Sequence, residues 1–163
     1  MDIHTLTTEI ARQAKAAARV MGRLSTAAKN DWLLHSADLI TNERESICEA
    51  NQRDLKEGKE RGLSSAMLDR LALTDKRIVE MTVALREIAA LPDPVAEITG
   101  VVPRPSGIFV GKMRVPIGVI GVIYESRPNV TVDAAALCLK AGNAVVLRGG
   151  SEAFHSNRAL AET

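Results

Sequence analysis

Through the first half of the chain the apolar residues fall at steps of three and four. Ile3, Leu6, Ile10, Ala14, Ala17, Met21 and Leu24 form one stripe, with Arg12, Lys15, Arg19 and Arg23 on other faces, which predicts a helix over 3–24. A second helix carries Leu33, Leu34, Ala37 and Ile40, with Asn30 or Asp31 as its cap. A third runs from about Asn42 through Ile47, Ala50, Asp54 and Leu55 and is expected to fray into the charged, solvated run 56–62. Ser64 opens a short helical piece. Thr74 caps another that bears Ile78, Met81, Leu85 and Ile88 on one face, and Pro92 and Pro94 stop it.

From Glu97 the period changes. Ile98–Val102 and Ile108–Val115 read as strands around the turn Arg104-Pro105-Ser106-Gly107, which predicts a β-hairpin. Val115–Tyr124 is a further β-branched run, broken only by Pro116, Gly118 and Gly121, and it ends at the polar segment 125–129. An Ala/Leu-rich helix over 131–141 closes on Gly142-Asn143. Ala144–Leu147 is a second short strand that opens into Arg148-Gly149-Gly150-Ser151, and Ser151 and Glu152 begin a last helix that reaches Thr163 with no stop signal. A strand, a helix of this length and a second strand make a right-handed parallel crossover. The fold class is therefore α/β: N-terminal helices (1–96), a hairpin (97–115), then the start of a parallel βαβ unit (116–163). Parallel sheets need more strands and two covered faces, so this one domain is expected to be incomplete.

Composition narrows the function. Twenty-one basic against twenty acidic residues leave a net charge of +1, and there are four aromatic residues. Neither an electrostatic footprint nor a stacking platform for nucleic acid is present. The core must be aliphatic. The N-terminus has no apolar signal core, and no apolar run is long enough to span a bilayer, so a cytoplasmic protein with no membrane partner is expected. Cys48 and Cys138 have no CxxC spacing and the three histidines are scattered, which argues against a metal site.

Ligands of open parallel sheets bind beyond the carboxyl ends of the strands. Both of those ends carry Arg, Ser and Gly chemistry here. In Arg148-Gly149-Gly150-Ser151 the glycines let backbone approach a ligand, the following helix supplies N–H groups, and Arg148 can fork onto a phosphate. The same residues also suit a Gly-rich turn with a solvated arginine, and local sequence leaves both readings open. Arg127 and Asn129 stand at the end of the neighbouring strand, where Asn129 can equally cap the helix. Gly118 and Gly121 are expected to allow close packing or a bulge. Cys138, mid-helix among Ala136, Leu137 and Leu139, reads as a core residue, and Cys48 and the histidines offer no nucleophile.

The stretch PIGVIGVIYESRPNVTVDAAALCLKAGNAVVLRGGSEAFHSNRAL resembles the γ-glutamyl phosphate reductase (glutamate-5-semialdehyde dehydrogenase) family, as do EANQRDLKEGKERGLSSAMLDRLALTDKRI and AALPDPVAEI upstream. Within the wider aldehyde dehydrogenases the pattern GNxVVLKPSE resembles 142–151. The resemblance implies an aldehyde-dehydrogenase-like NADP-binding domain, and reduction of L-glutamate 5-phosphate by NADPH to the 5-semialdehyde with release of phosphate, in proline biosynthesis. It implies a cysteine thiolate that displaces phosphate, in a second half for which this chain has no counterpart. By the same resemblance Ser126, Arg148, Gly149, Gly150 and Ser151 bind the cofactor, with Arg148 suited to a 2′-phosphate. Arg127 contacts the substrate phosphate or positions backbone, and Asn129 is an oxyanion donor. The hairpin resembles a subunit-pairing segment, so a homo-oligomer is expected of the full-length enzyme. The alternative class is a non-catalytic nucleotide-binding or subunit-interaction fragment.

Overall fold

The computed structural model describes residues 2–163. Five helices come first: α1 (Ile3–Met21), α2 (Thr26–Asn42), α3 (Arg44–Glu60), α4 (Ser65–Leu71) and α5 (Asp75–Ala90). The hairpin β1 (Ile98–Pro103) and β2 (Phe109–Met113) follows, then β3 (Val119–Tyr124), α6 (Asn129–Lys140), β4 (Ala144–Gly149), a 3-10 turn (Ser151–Ala153) and α7 (Phe154–Glu162). β1 and β2 pair antiparallel, Ile98 opposite Met113 and Pro103 opposite Phe109. β3 and β4 pair parallel, Val119 beside Ala144 through Tyr124 beside Gly149. The predicted order of elements is present.

Several boundaries move, each for a local reason. α2 is capped by Ser25, whose Oγ accepts from the N–H of Ala28 at 3.2 Å, and not by Asn30 or Asp31. Asn30 instead accepts from the Lys140 ammonium at 2.7 Å. α3 does not fray: it holds to Glu60 because Gly58 is buried, with a Cβ there falling 2.9 Å from Leu63 Cδ1. β3 starts at Val119 rather than Val115. Pro116 lacks an N–H, and Gly118 has φ +117, outside the strand region. Gly121 opens onto space, with no neighbour where a Cβ would stand, and the β3–β4 register is unbroken. Neither close packing nor a bulge explains these two glycines.

One hydrophobic core joins the helical half to the crossover. Leu33, Ala37 and Ile40 of α2, Ile47 of α3, and Ile78, Met81 and Leu85 of α5 meet Val132, Ala136 and Leu139 of α6 and Leu160 of α7. Each leucine buried here contributes about 1.5–3 kcal/mol. α6 closes as foreseen: Gly142 adopts φ +71, and the N–H groups of Gly142 and Asn143 return to the carbonyls of Leu139 and Cys138 at 2.9 and 2.8 Å. Asn143 Oδ1 then accepts from Gly118 N–H at 2.8 Å, so the end of α6 sets where β3 begins.

Two buried polar clusters lock this arrangement. Lys29, 1% exposed, pairs with Asp93 at 2.8 Å, while Lys140 donates to Asn30 and to the Ala89 carbonyl. Asp54 of α3, 2% exposed, accepts from the N–H groups of His155 and Ser156 and from the Ser156 hydroxyl, at 3.0, 2.7 and 2.6 Å. It therefore caps α7 from another helix. Asn51 fixes the same hydroxyl at 3.0 Å and ties the Leu71 carbonyl and Leu73 N–H.

Asp54→Ala strands three donors, the two of Ser156 buried, and is expected to cost about 3 kcal/mol, read as a lower urea midpoint; an unchanged midpoint would show that the cap is dispensable. Burial pushes the Asp93 carboxyl up, but bonds from Lys29, Val95 N–H and Thr26 outweigh it and hold the group below its ordinary 3.8. Its folded value being the lower, Asp93 stabilises the fold above the ordinary carboxylate range, and the contribution is lost as pH falls through that range. Urea midpoints measured downward from pH 7 should therefore fall less steeply in Asp93→Asn than in the unaltered chain.

Candidate functional site

The register of β3 and β4 decides what their shared carboxyl edge presents. Ile120, Val122 and Tyr124 alternate with Val119, Gly121 and Ile123, and the first set is the better buried. Tyr124 and its neighbours face α6 and α7: the Tyr124 hydroxyl lies 2.6 Å from Thr131 Oγ1, which bonds Asn157 Oδ1 at 3.2 Å. Arg148 pairs with Ile123, which is 79% exposed, so it lies on the uncovered face. Arg127 is exposed in the turn after β3. The two strand ends thus bring both arginines to one edge of the sheet.

The turns themselves are knit together from within. Ser126 is buried at 5% exposure with φ +49, a rare conformation for a non-glycine residue. Its N–H donates to Glu152 Oε1 at 2.5 Å and its hydroxyl to the same oxygen at 3.1 Å. Burial raises the Glu152 carboxyl, but bonds from its own N–H and from Ser126, with the nearby Arg148 charge, leave it below its ordinary value. A Cβ on Gly150 would stand 2.2 Å from Glu152 Oε1, and one on Gly149 would stand 2.1 Å from Asn157 Nδ2. The room these glycines leave is filled by the protein's own side chains.

Asn129 is not a cap: α6 has no side-chain cap, and Asn129 Nδ2 donates to Asp133 Oδ2 at 2.9 Å, one turn along. Burial raises the Asp133 carboxyl against that bond. Ser151 is exposed at the head of the 3-10 turn. The sequence alone does not mark Glu152, Thr131 and Asn157 as site residues. An acidic residue in the first turn after Gly-Gly was the available signal for Glu152; its target, Ser126, lies twenty-six positions away.

A small cavity of about 260 Å³ lies under α2, α6 and α7, and one of about 250 Å³ at the carboxyl edge is lined by Tyr124, Thr131, Gly149, Gly150, Phe154 and Asn157. A larger one, about 960 Å³, lies between α1 and the amino ends of the strands, lined by Ile10, Lys15, Arg19, Pro116, Val119 and Gly121. Its lining is mostly apolar and includes neither Arg127 nor Arg148. No group of three or more His, Cys, Asp or Glu suited to a metal occurs among the described residues. No helix among them is long and apolar enough to cross a membrane.

A parallel crossover resting on helices, with its loops at the carboxyl edge, is an open α/β architecture of the kind that takes ligands there. The chain belongs to the aldehyde dehydrogenase family, which it matches over residues 5–163. It is 63% identical over 153 residues to the gamma-glutamyl phosphate reductase of Geotalea daltonii, covering 94% of this chain and 37% of that one. The crystal structure of gamma-glutamyl phosphate reductase from Thermotoga maritima superimposes with a TM-score of 0.91 at 43% identity, over 95% of this chain and 37% of the other. The Saccharomyces cerevisiae counterpart gives 0.91 at 33% identity, over 94% and 39%. The chain spans 37% of the length of these bacterial relatives.

Cys138 is 7% exposed and burial pushes its thiol up, the opposite of an activated nucleophile. In the native chain at pH 8 it should react with a thiol reagent at least about tenfold more slowly than in denaturant, measured by mass spectrometry of the labelled peptides. Equal rates would reopen its role.

Proposed function

We propose that this chain forms the opening part of the cofactor site of a γ-glutamyl phosphate reductase, which converts L-glutamate 5-phosphate and NADPH to glutamate 5-semialdehyde and phosphate. The observation that carries the reading is the identity with reductases along nearly the whole chain, crossover included. The substrate belongs to proline biosynthesis and the enzyme to the cytoplasm. The nicotinamide cofactor supplies hydride when bound.

The residues present suit the phosphate-bearing end of such a cofactor. Arg148 and Ser151 are both exposed, and a guanidinium offers a permanent, forked charge to a 2′-phosphate. The backbone at Gly149 and Gly150 carries Arg148 to the edge, and Ser126 shapes the facing turn. Arg127 holds or orients the substrate phosphate. Asn129 retains a second amide hydrogen for a developing oxyanion. The nucleophilic thiol is not assigned to either cysteine of this chain, so the 163 residues alone are expected to bind without turning over.

The exposed hairpin supports a homo-oligomer of the full-length enzyme. Ile98, Val101, Phe109 and Met113 are 56%, 56%, 72% and 57% exposed, apolar area that subunit pairing would cover. The same surface favours the second reading, a subunit-interaction fragment without catalysis.

Arg148→Ala should weaken NADPH by about tenfold or more and NADH by less, measured by fluorescence titration of both nucleotides. Equal loss for the two would remove the 2′-phosphate role. NADPH-dependent reduction of glutamyl phosphate by the isolated chain would contradict the assignment of the thiol elsewhere.

A further inference from the structure

We infer that Glu152 is a positioning residue that clasps the turn after β3 to the turn after β4 and so sets the spacing of Arg127 and Arg148. The inference rests on the nucleotide-site reading above for its effect on binding, but not for the clasp itself. A two-stranded parallel pair fixes its strands by the ladder, which ends at Tyr124 and Gly149. Past that point nothing in the ladder holds the two turns at a set distance. Arg127 lies in one of these turns, and Arg148 sits in the last bonded pairs beside the other.

Glu152 supplies the missing tie. Its Oε1 accepts both the N–H and the hydroxyl of Ser126. Three features show that the arrangement is built around this carboxylate. Ser126 takes a left-handed backbone, φ +49, which turns its N–H toward Glu152. Ser126 is buried, so its N–H would be an orphan without that acceptor. Gly150 leaves the gap the carboxylate fills, since a Cβ there would stand 2.2 to 2.5 Å from its three terminal atoms.

Glu152 is in turn held from behind. The 3-10 turn that bears it leads directly into α7, whose first N–H groups are fixed by Asp54 of α3. Asn157 of α7, through Thr131, meets the Tyr124 hydroxyl two residues before the clasp. The helical half of the chain thereby reaches the ligand edge: α3 fixes α7, α7 fixes Glu152, and Glu152 fixes the Ser126–Arg127 turn.

The test compares Glu152→Ala, which removes the acceptor, with Glu152→Gln, which keeps an oxygen in place without the charge. Ser126 amide hydrogen exchange is followed by NMR in the full chain, beside NADPH titration. In Glu152→Ala the Ser126 amide should exchange about tenfold faster or more, while core amides such as those of Leu33 and Leu85 keep their protection. NADPH affinity should fall about tenfold, and Glu152→Gln should restore both to within about threefold. Unchanged Ser126 exchange in Glu152→Ala would overturn the clasp. Faster exchange with unchanged affinity would overturn its positioning role. An unaltered chain with a protected Ser126 amide and no affinity for NADPH would refute the nucleotide reading and leave the clasp standing.

Discussion

Two parallel strands cannot bury a face by themselves, and the whole chain is organised around giving β3 and β4 one covered side. α6 lies against that side, and α2, α5 and α7 lie against α6. The helical half is therefore not a separate unit that precedes the crossover. It is the second layer without which the crossover would expose its apolar residues, because a parallel pair has little stability unless something packs on it. Ile123 at 79% exposure and Ile117 at 83% lie on the opposite side, where α1 reaches the amino ends of the strands and the carboxyl end is left open.

The carboxyl edge of the strands inherits its geometry from that packing. The covered side anchors Tyr124, Thr131 and Asn157; the open side carries Arg148. Between them Glu152 ties the two turns, and Asp54 ties the helix that bears Glu152. Charge is handled differently in the two settings. The buried Asp54 is satisfied by two helix N–H groups and a hydroxyl rather than by a cation. Glu152 combines hydrogen bonds with the nearby charge of Arg148. The arginines at the edge are left in water, where their charge is available to an anion.

Much of this was legible in the residues. The steps of three and four in α1 and α5, the Thr74 and Ser64 caps, the Gly142-Asn143 stop and the position of Cys138 follow from local chemistry, and local chemistry is what sequence displays. The misreadings share a cause. Asn30 is a good capping residue by type, yet Lys140, 110 positions away, claims its side chain. Asn129 is another, but it opens α6 within the helix and bonds forward to Asp133. Gly58 sits in a charged run that looks frayed until Leu63 folds back on it. Glu152 reads as a helix-start acid, and its bond to Ser126 exists only once the strands are parallel. The relation to reductases was legible because the motifs stand in order; the pairing of side chains across the turns was not, because pairing is a property of the fold.

Backbone amide NMR of the chain titrated with NADPH tests the central claim most directly, that nucleotide phosphate is held at the carboxyl edge of β3 and β4. The account predicts shifts concentrated at 125–129 and 148–152, with α1 undisturbed. Shifts centred instead on Thr7–Arg23 and Pro116–Gly121, around the larger cavity at the amino ends of the strands, would contradict it.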